Sequence, residues 1–152
     1  MRFWRICRQR YAGEAASGEG ARRYGGRWNS RGVAMVYAST SLALAAIETF
    51  VNLEPNLQPS DYVSIAGEIP QGLPIGRLEP ATLPSDWRRM GNEHLRRLGD
   101  AWVAKAETVA LLVPSAVILG EWNVLLSPAH PQFSRIKLEA AQPFEFDPRM
   151  FR

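Results

Sequence analysis

Cysteine is nearly missing from this chain. Cys7 is the only one among 152 residues, so no internal disulfide forms and a cytoplasmic protein is the expectation. Histidine is almost as scarce, with His94 and His130 alone. That leaves too few ligands for the usual Cys/His zinc cluster, and no metal site is expected. Lysine occurs only at Lys105 and Lys137, so 16 of the 18 Lys and Arg side chains are arginine. Arginine brings a planar fork suited to phosphate and carboxylate groups, which lysine lacks. The net charge is only +3, and the arginines fall in pairs (Arg22-Arg23, Arg88-Arg89, Arg96-Arg97) rather than in one basic run. Direct nucleic-acid binding is therefore not expected. No run reaches the roughly 18 apolar residues of a membrane span. Met1 to Arg10 carries charges throughout instead of an apolar signal core, so no secretory leader is expected either. The phosphate loop G-x-x-x-x-G-K-[ST] and the nucleophile elbow G-x-S-x-G are both absent, and no period of roughly 20–50 residues repeats.

What is present reads as one globular domain over residues 1–152. Apolar residues make up 46% and charged residues 22%, enough for a core without staples. Phe3 to Ile6 and Val33 to Tyr37 read as strands. Between them lies the densest glycine stretch, residues 13–32, a long loop of the kind that carries function. Residues 40–54 form the strongest helix candidate, capped by Ser39, Thr40 or Ser41 and stopped by Pro55. Residues 61–69 alternate as a half-buried strand. Ser85 to Lys105 reads as helical, broken near Gly91. Val109 to Val113 is a continuous apolar strand; Val117 to Leu119, Ser134 to Leu138 and Phe144 to Phe146 are further short strand candidates. Six or seven strands and two or three helices without regular alternation predict an α+β fold on a mixed sheet.

Three features carry chemistry. Glu48 lies within the apolar helix segment Leu44-Ala-Ala-Ile-Glu-Thr-Phe-Val. Its carboxylate either faces solvent or is buried with a partner, because burial alone would cost several kcal/mol or raise its pKa. In Tyr24-Gly-Gly-Arg27-Trp28-Asn29, two glycines let the backbone approach a ligand and Arg27 offers a fork for phosphate oxygens; the same residues also read as a plain turn into a strand. Ser115, after Val113-Pro114, is either a turn residue or a donor at a strand end. His94 reads as a surface residue and His130 as a loop residue.

The order of these pieces resembles the RES-domain family, named for Arg, Glu and Ser. The resemblance runs through Phe3-Trp4-Arg5, Gly-Gly-Arg27-Trp28-Asn29, Val36-Tyr37-Ala-Ser, Leu44-Ala-Ala-Ile-Glu48, Val113-Pro-Ser115 and Asn123-Val-Leu-Leu-Ser-Pro128-Ala-His130-Pro131-Gln-Phe133. Ser127 and Gln132 depart from the family pattern, where Asn and an acidic residue are more usual.

The resemblance implies a mixed, split β-sheet with flanking helices, similar to ADP-ribosyltransferases. It implies a toxin of a bacterial type II toxin–antitoxin pair that cleaves the nicotinamide–ribose bond of NAD, with NAD as substrate and no further cofactor. The acceptor, whether water, phosphate or a protein side chain, stays open. So do the alternatives of an ADP-ribosyltransferase modifying a protein and a non-catalytic module of the same fold. Glu48 would stabilise positive charge on the ribose, and Arg27 would grip the pyrophosphate. Tyr37, with Tyr24 as a second platform, would stack on nicotinamide. Ser115 and Asn123 would donate to phosphate or ribose oxygens. The implied partner is an Xre-type helix-turn-helix antitoxin, with Trp87, Trp102 and Trp122 as candidates to line its docking surface. A homodimer within a toxin–antitoxin complex stays open.

Overall fold

Alternation along Tyr-Val-Ser-Ile-Ala-Gly-Glu buries Val63, Ile65 and Gly67 on one face and makes this segment a strand, β3 (Tyr62–Glu68). It pairs antiparallel along the whole of β1 (Arg2–Arg8), from Arg2 opposite Glu68 to Arg8 opposite Tyr62. The structure is a computed structural model and describes residues 1–56 and 60–152. The other strands are β2 (Val36–Ser39), β4 (Ile75–Arg77), β5 (Ala110–Pro114), β6 (Trp122–Leu126), β7 (Lys137–Leu138) and β8 (Gln142–Phe144). The sheet runs β4-β5-β6-β2-β1-β3-β7, with β8 also on β3. Among the described residues, only the β4–β5 pair is parallel. The expected α+β class on a mixed sheet is present, and all eight strands join in one hydrogen-bonded network.

The central strands β5 and β6 are covered on both faces, which is why they are apolar throughout their middles. One face packs Phe3, Val36, Ala38, Ala110, Val124 and Leu126 with Ile69 and Leu73. The other packs Leu111, Val113 and Leu125 with Trp28, Met35, Trp87 and Leu95. Among the described residues, three α-helices complete the layers: α1 (Glu19–Tyr24), α2 (Leu42–Phe50) and α3 (Glu93–Lys105). Ser41 caps α2 by accepting from the Leu44 amide at 3.1 Å, and Asn92 caps α3 by accepting from the His94 amide at 3.0 Å. Gly99 places α3 directly on the Trp28 carbonyl, where a Cβ would collide with the backbone oxygen.

Several boundaries differ from the sequence expectations, each for a local reason. The strand expected from Val33 begins only at Val36, because Gly32 has φ 96° and the Val33 amide closes a turn onto Ser30 O at 3.2 Å. The helix expected from Ser85 begins at Glu93. Trp87 and Arg89 instead close turns onto Pro84 and Asp86, and Gly91 at φ 71° separates them from the Asn92 cap. Val117 to Leu119 is not a strand, since the amides of Val117 and Ile118 turn inward onto Ser115 Oγ. Ser134 to Leu138 is a 3-10 turn followed by the two residues of β7, and the strand placed at Phe144 to Phe146 ends at Phe144. Helix α1 lies inside the glycine-rich stretch. Its Glu19 binds both Arg22 and Arg23, which holds the Glu19 carboxyl down to about 2.

Candidate active site

Glu48 decides between its two readings by geometry. It lies one turn after Leu44, the most buried residue of α2 with Ala45, and so on the inward side of the helix. Its Oε1 accepts hydrogen bonds from Ser115 Oγ at 2.6 Å and Asn123 Nδ2 at 2.7 Å. The carboxylate is thus half-buried with partners. Each partner is itself held. Ser115 is 1% exposed at the end of β5, and its Oγ accepts from the Val117 and Ile118 amides at 3.1 and 2.9 Å. Asn123 is the second residue of β6, and its Oδ1 accepts from Ser39 Oγ at 2.7 Å. Ser39 opposes Asn123 across β2 and β6, and Val113 opposes it across β5. Three strands therefore converge beneath one carboxylate. Among the described residues, no hydrogen bond occupies the Oε2 atom.

Arg27 stands in a turn that needs its glycines. Gly25 has φ 72°, and a Cβ on Gly26 would lie 2.6 Å from the Tyr37 hydroxyl and 2.9 Å from Asn29 Oδ1. The Arg27 Nη1 donates to three successive carbonyls, those of Trp87 (3.2 Å), Arg88 (3.1 Å) and Arg89 (3.3 Å). Its Nη2 faces Met90 Sδ at 3.5 Å. Partial burial lowers its pKa, opposed by the nearby Glu48 carboxylate and reinforced by the Arg88 guanidinium.

Tyr37 sits within β2, facing the same side of the sheet as Ser39. Its hydroxyl donates to Asn29 Oδ1 at 2.7 Å and accepts from the Trp28 amide at 3.0 Å. Burial pushes its pKa well above the ordinary phenol value. The tyrosine thereby locks the Gly26-Arg27-Trp28 turn. Asn29 is the residue that sequence reasoning missed. It is fully buried, and its Nδ2 donates to the carbonyls of Ala21, Ser30 and Val33 at 2.8, 3.1 and 3.0 Å. Its place directly after Gly-Gly-Arg-Trp was the available signal, because buried asparagines commonly tie loops through backbone bonds.

Of the six candidate residues, Arg27, Tyr37, Glu48, Ser115 and Asn123 gather on one side of the sheet. Tyr24 ends α1 and is 76% exposed, and among the described residues no hydrogen bond ties it to that group. Of the tryptophans named as candidates for a docking surface, one is buried and two are half-buried. Trp87 is buried, Trp102 donates from Nε1 to Thr108 Oγ1 at 2.7 Å, and Trp122 lies under the Arg77 guanidinium at 3.9 Å. His94 is exposed in the first turn of α3, as expected; His130 is a loop residue but buried, its Nδ1 accepting from the Gln132 amide at 3.1 Å. Among the described residues, no helix is long and apolar enough to cross a membrane.

A family model described as the RES domain matches residues 2–147. The chain belongs to the RES domain family. A RES relative from Sphingobium sp. (strain YBL2), named Prs ADP-ribosylating toxin, is 38% identical over 99% of this chain and 96% of its own length. A relative from Yersinia enterocolitica named Toxin Res is 35% identical over 99% of both chains, and another Toxin Res from Pseudomonas putida is 33% identical over 99% of this chain and 100% of its own. The RES fold seen here also matches a chain of the crystal structure of the M. tuberculosis MbcT–MbcA toxin–antitoxin complex. The TM-score is 0.76, with 19% identity over 99% of this chain and 86% of that one.

Proposed function

We propose that this RES-domain protein is the toxin of a toxin–antitoxin pair and that it cleaves the nicotinamide–ribose bond of NAD. The observation that carries the reading is the Glu48 carboxylate, seated through Oε1 by Ser115 and Asn123 and left with Oε2 for a substrate. Loss of nicotinamide develops oxocarbenium-like positive charge on the ribose. A fixed carboxylate stabilises that charge without reorganising, and Oε2 is placed to accept a ribose hydroxyl. The C1′–N bond breaks with its electron pair leaving on nicotinamide, and the acceptor oxygen then bonds C1′. Arg27 offers its remaining donors to the pyrophosphate. The ring of Tyr37 serves as the nicotinamide platform. Ser115 and Asn123 act on the substrate through Glu48, since both spend a donor on its carboxylate. The partner is an Xre-type antitoxin; the MbcT–MbcA complex is a toxin–antitoxin assembly of the same fold.

The test is purified protein incubated with NAD, with and without inorganic phosphate, following nicotinamide and the ADP-ribose product. Glu48→Gln is expected to lower nicotinamide release by about 10²–10⁴-fold while leaving the melting temperature near wild type. Release by the variant at the wild-type rate would overturn the assignment. A protein acceptor is the second reading, favoured by the name of the Sphingobium relative. A labelled protein band in lysate given labelled NAD would establish it.

A further inference from the structure

The Ser115 turn has a second cation against it. Arg88 donates from Nε to the Ala116 carbonyl at 3.0 Å, next to the serine that holds Glu48. Its backbone carbonyl, in turn, accepts from Arg27 Nη1 at 3.1 Å. Arg27 thus docks on the backbone of the very loop that carries Arg88. Neither touches a carboxylate: among the described residues, every hydrogen bond either one makes runs to a backbone carbonyl or to the Met90 thioether. Seven arginines of this chain are in ion pairs (Arg2, Arg8, Arg22, Arg23, Arg77, Arg97 and Arg149); what sets Arg27 and Arg88 apart from the remaining ones is the loop backbone they share. Two arginines tied to one loop, each with guanidinium donors left over, can serve a shared anion. Buried Trp87 anchors the loop that carries Arg88, and Pro84 turns it.

We propose that Arg88 is the second arm of a two-arginine clamp, with Arg27 the first, closing on the diphosphate of the dinucleotide beside Glu48. This rests on the NAD reading above. Arg88 meets the diphosphate with its terminal Nη groups while Nε keeps its bond to Ala116, so substrate binding and the Ser115 turn are joined through one side chain. Arg88 is exposed, so its replacement leaves the core untouched.

The experiment is calorimetric binding of ADP-ribose and of inorganic pyrophosphate to wild type, Arg88→Gln and Arg88→Lys, together with nicotinamide release from NAD. Arg88→Gln is expected to weaken ADP-ribose and pyrophosphate about tenfold or more and to raise KM with kcat largely kept. It should also flatten the salt dependence of binding, which a purely structural role would leave alone. Arg88→Lys should recover part of the affinity, keeping the charge without the fork. Equal ADP-ribose binding by Arg88→Gln and wild type would overturn the clamp while leaving NAD cleavage standing. Pyrophosphate binding that depends on Arg88, in a protein that releases no nicotinamide either alone or with lysate protein as acceptor, would support the clamp and overturn the NAD reading. Wild type binding neither probe would overturn both.

Discussion

At the scale of the residue, the centre is built from side chains that hold one another. Ser39 orients Asn123, Asn123 and Ser115 hold Glu48, and Asn29 and Tyr37 hold the turn of Arg27. Such chains of support fix a carboxylate or a guanidinium more firmly than any one bond. Tyr37 gives a clean test of this. In Tyr37→Phe, the Asn29 Oδ1 and the Trp28 amide both lose their partner, and the expected cost is about 2 kcal/mol in urea denaturation. The tyrosine contribution also depends on pH. Its folded-state pKa is raised above the ordinary 10.0, so the native state keeps a proton that the unfolded state releases above that pH. The contribution is fully present below pH 10 and declines as the pH rises past it. The stability gap between wild type and Tyr37→Phe should therefore be widest at neutral pH and narrow in alkali. A gap unchanged across that range would show that the hydroxyl is not the titrating group.

At the scale of the element, the pieces that carried local signals were legible and those made by tertiary contacts were not. Helix α2 showed its cap and its apolar run, and β5 its unbroken hydrophobic stretch. Strand β6 did not stand out, because burial on both faces erases alternation and Asn123 sits where a polar residue argues against a core strand. Yet Asn123 is there to reach Glu48, 75 residues earlier in the chain. Ser115, 67 residues from Glu48, likewise shows its role only once β5 and α2 meet. Strand β4 is three residues long and depends on β5 for its existence. Gly99 lowers the intrinsic helix propensity in the middle of α3, yet it is the point where α3 meets the Trp28 carbonyl. Gly99→Ala raises helix propensity but drives a methyl into the Trp28 carbonyl. Loss of stability by several kcal/mol is expected, read as a lower melting temperature, rather than the gain that propensity alone would give.

At the scale of the molecule, the two hydrophobic clusters lie on opposite faces of one sheet and share strands β5 and β6, whose side chains alternate between them. Neither can open without exposing the other. Unfolding followed by tryptophan fluorescence and by far-ultraviolet circular dichroism should give coincident transitions. Two separated transitions would mean that the chain divides into independent units. The resemblance in sequence order and the topology agree at this scale, because the Arg27 turn, β2, α2 and the end of β5 are brought onto one side of the sheet although β3, β4 and α3 intervene between Glu48 and Ser115.

Helix α2 receives its last packing surface from the far end of the chain. Phe50, two residues beyond Glu48, is gripped by Phe146 at 6.3 Å and Phe151 at 5.4 Å between ring centroids, within an aromatic cluster that includes Phe144 and Tyr62. During synthesis, Glu48 leaves the ribosome long before its serine, its asparagine and the rings that steady its helix. The helix that carries the carboxylate thus gains its aromatic support last, and removing Phe146 and Phe151 is expected to loosen α2 without touching the partners of Glu48.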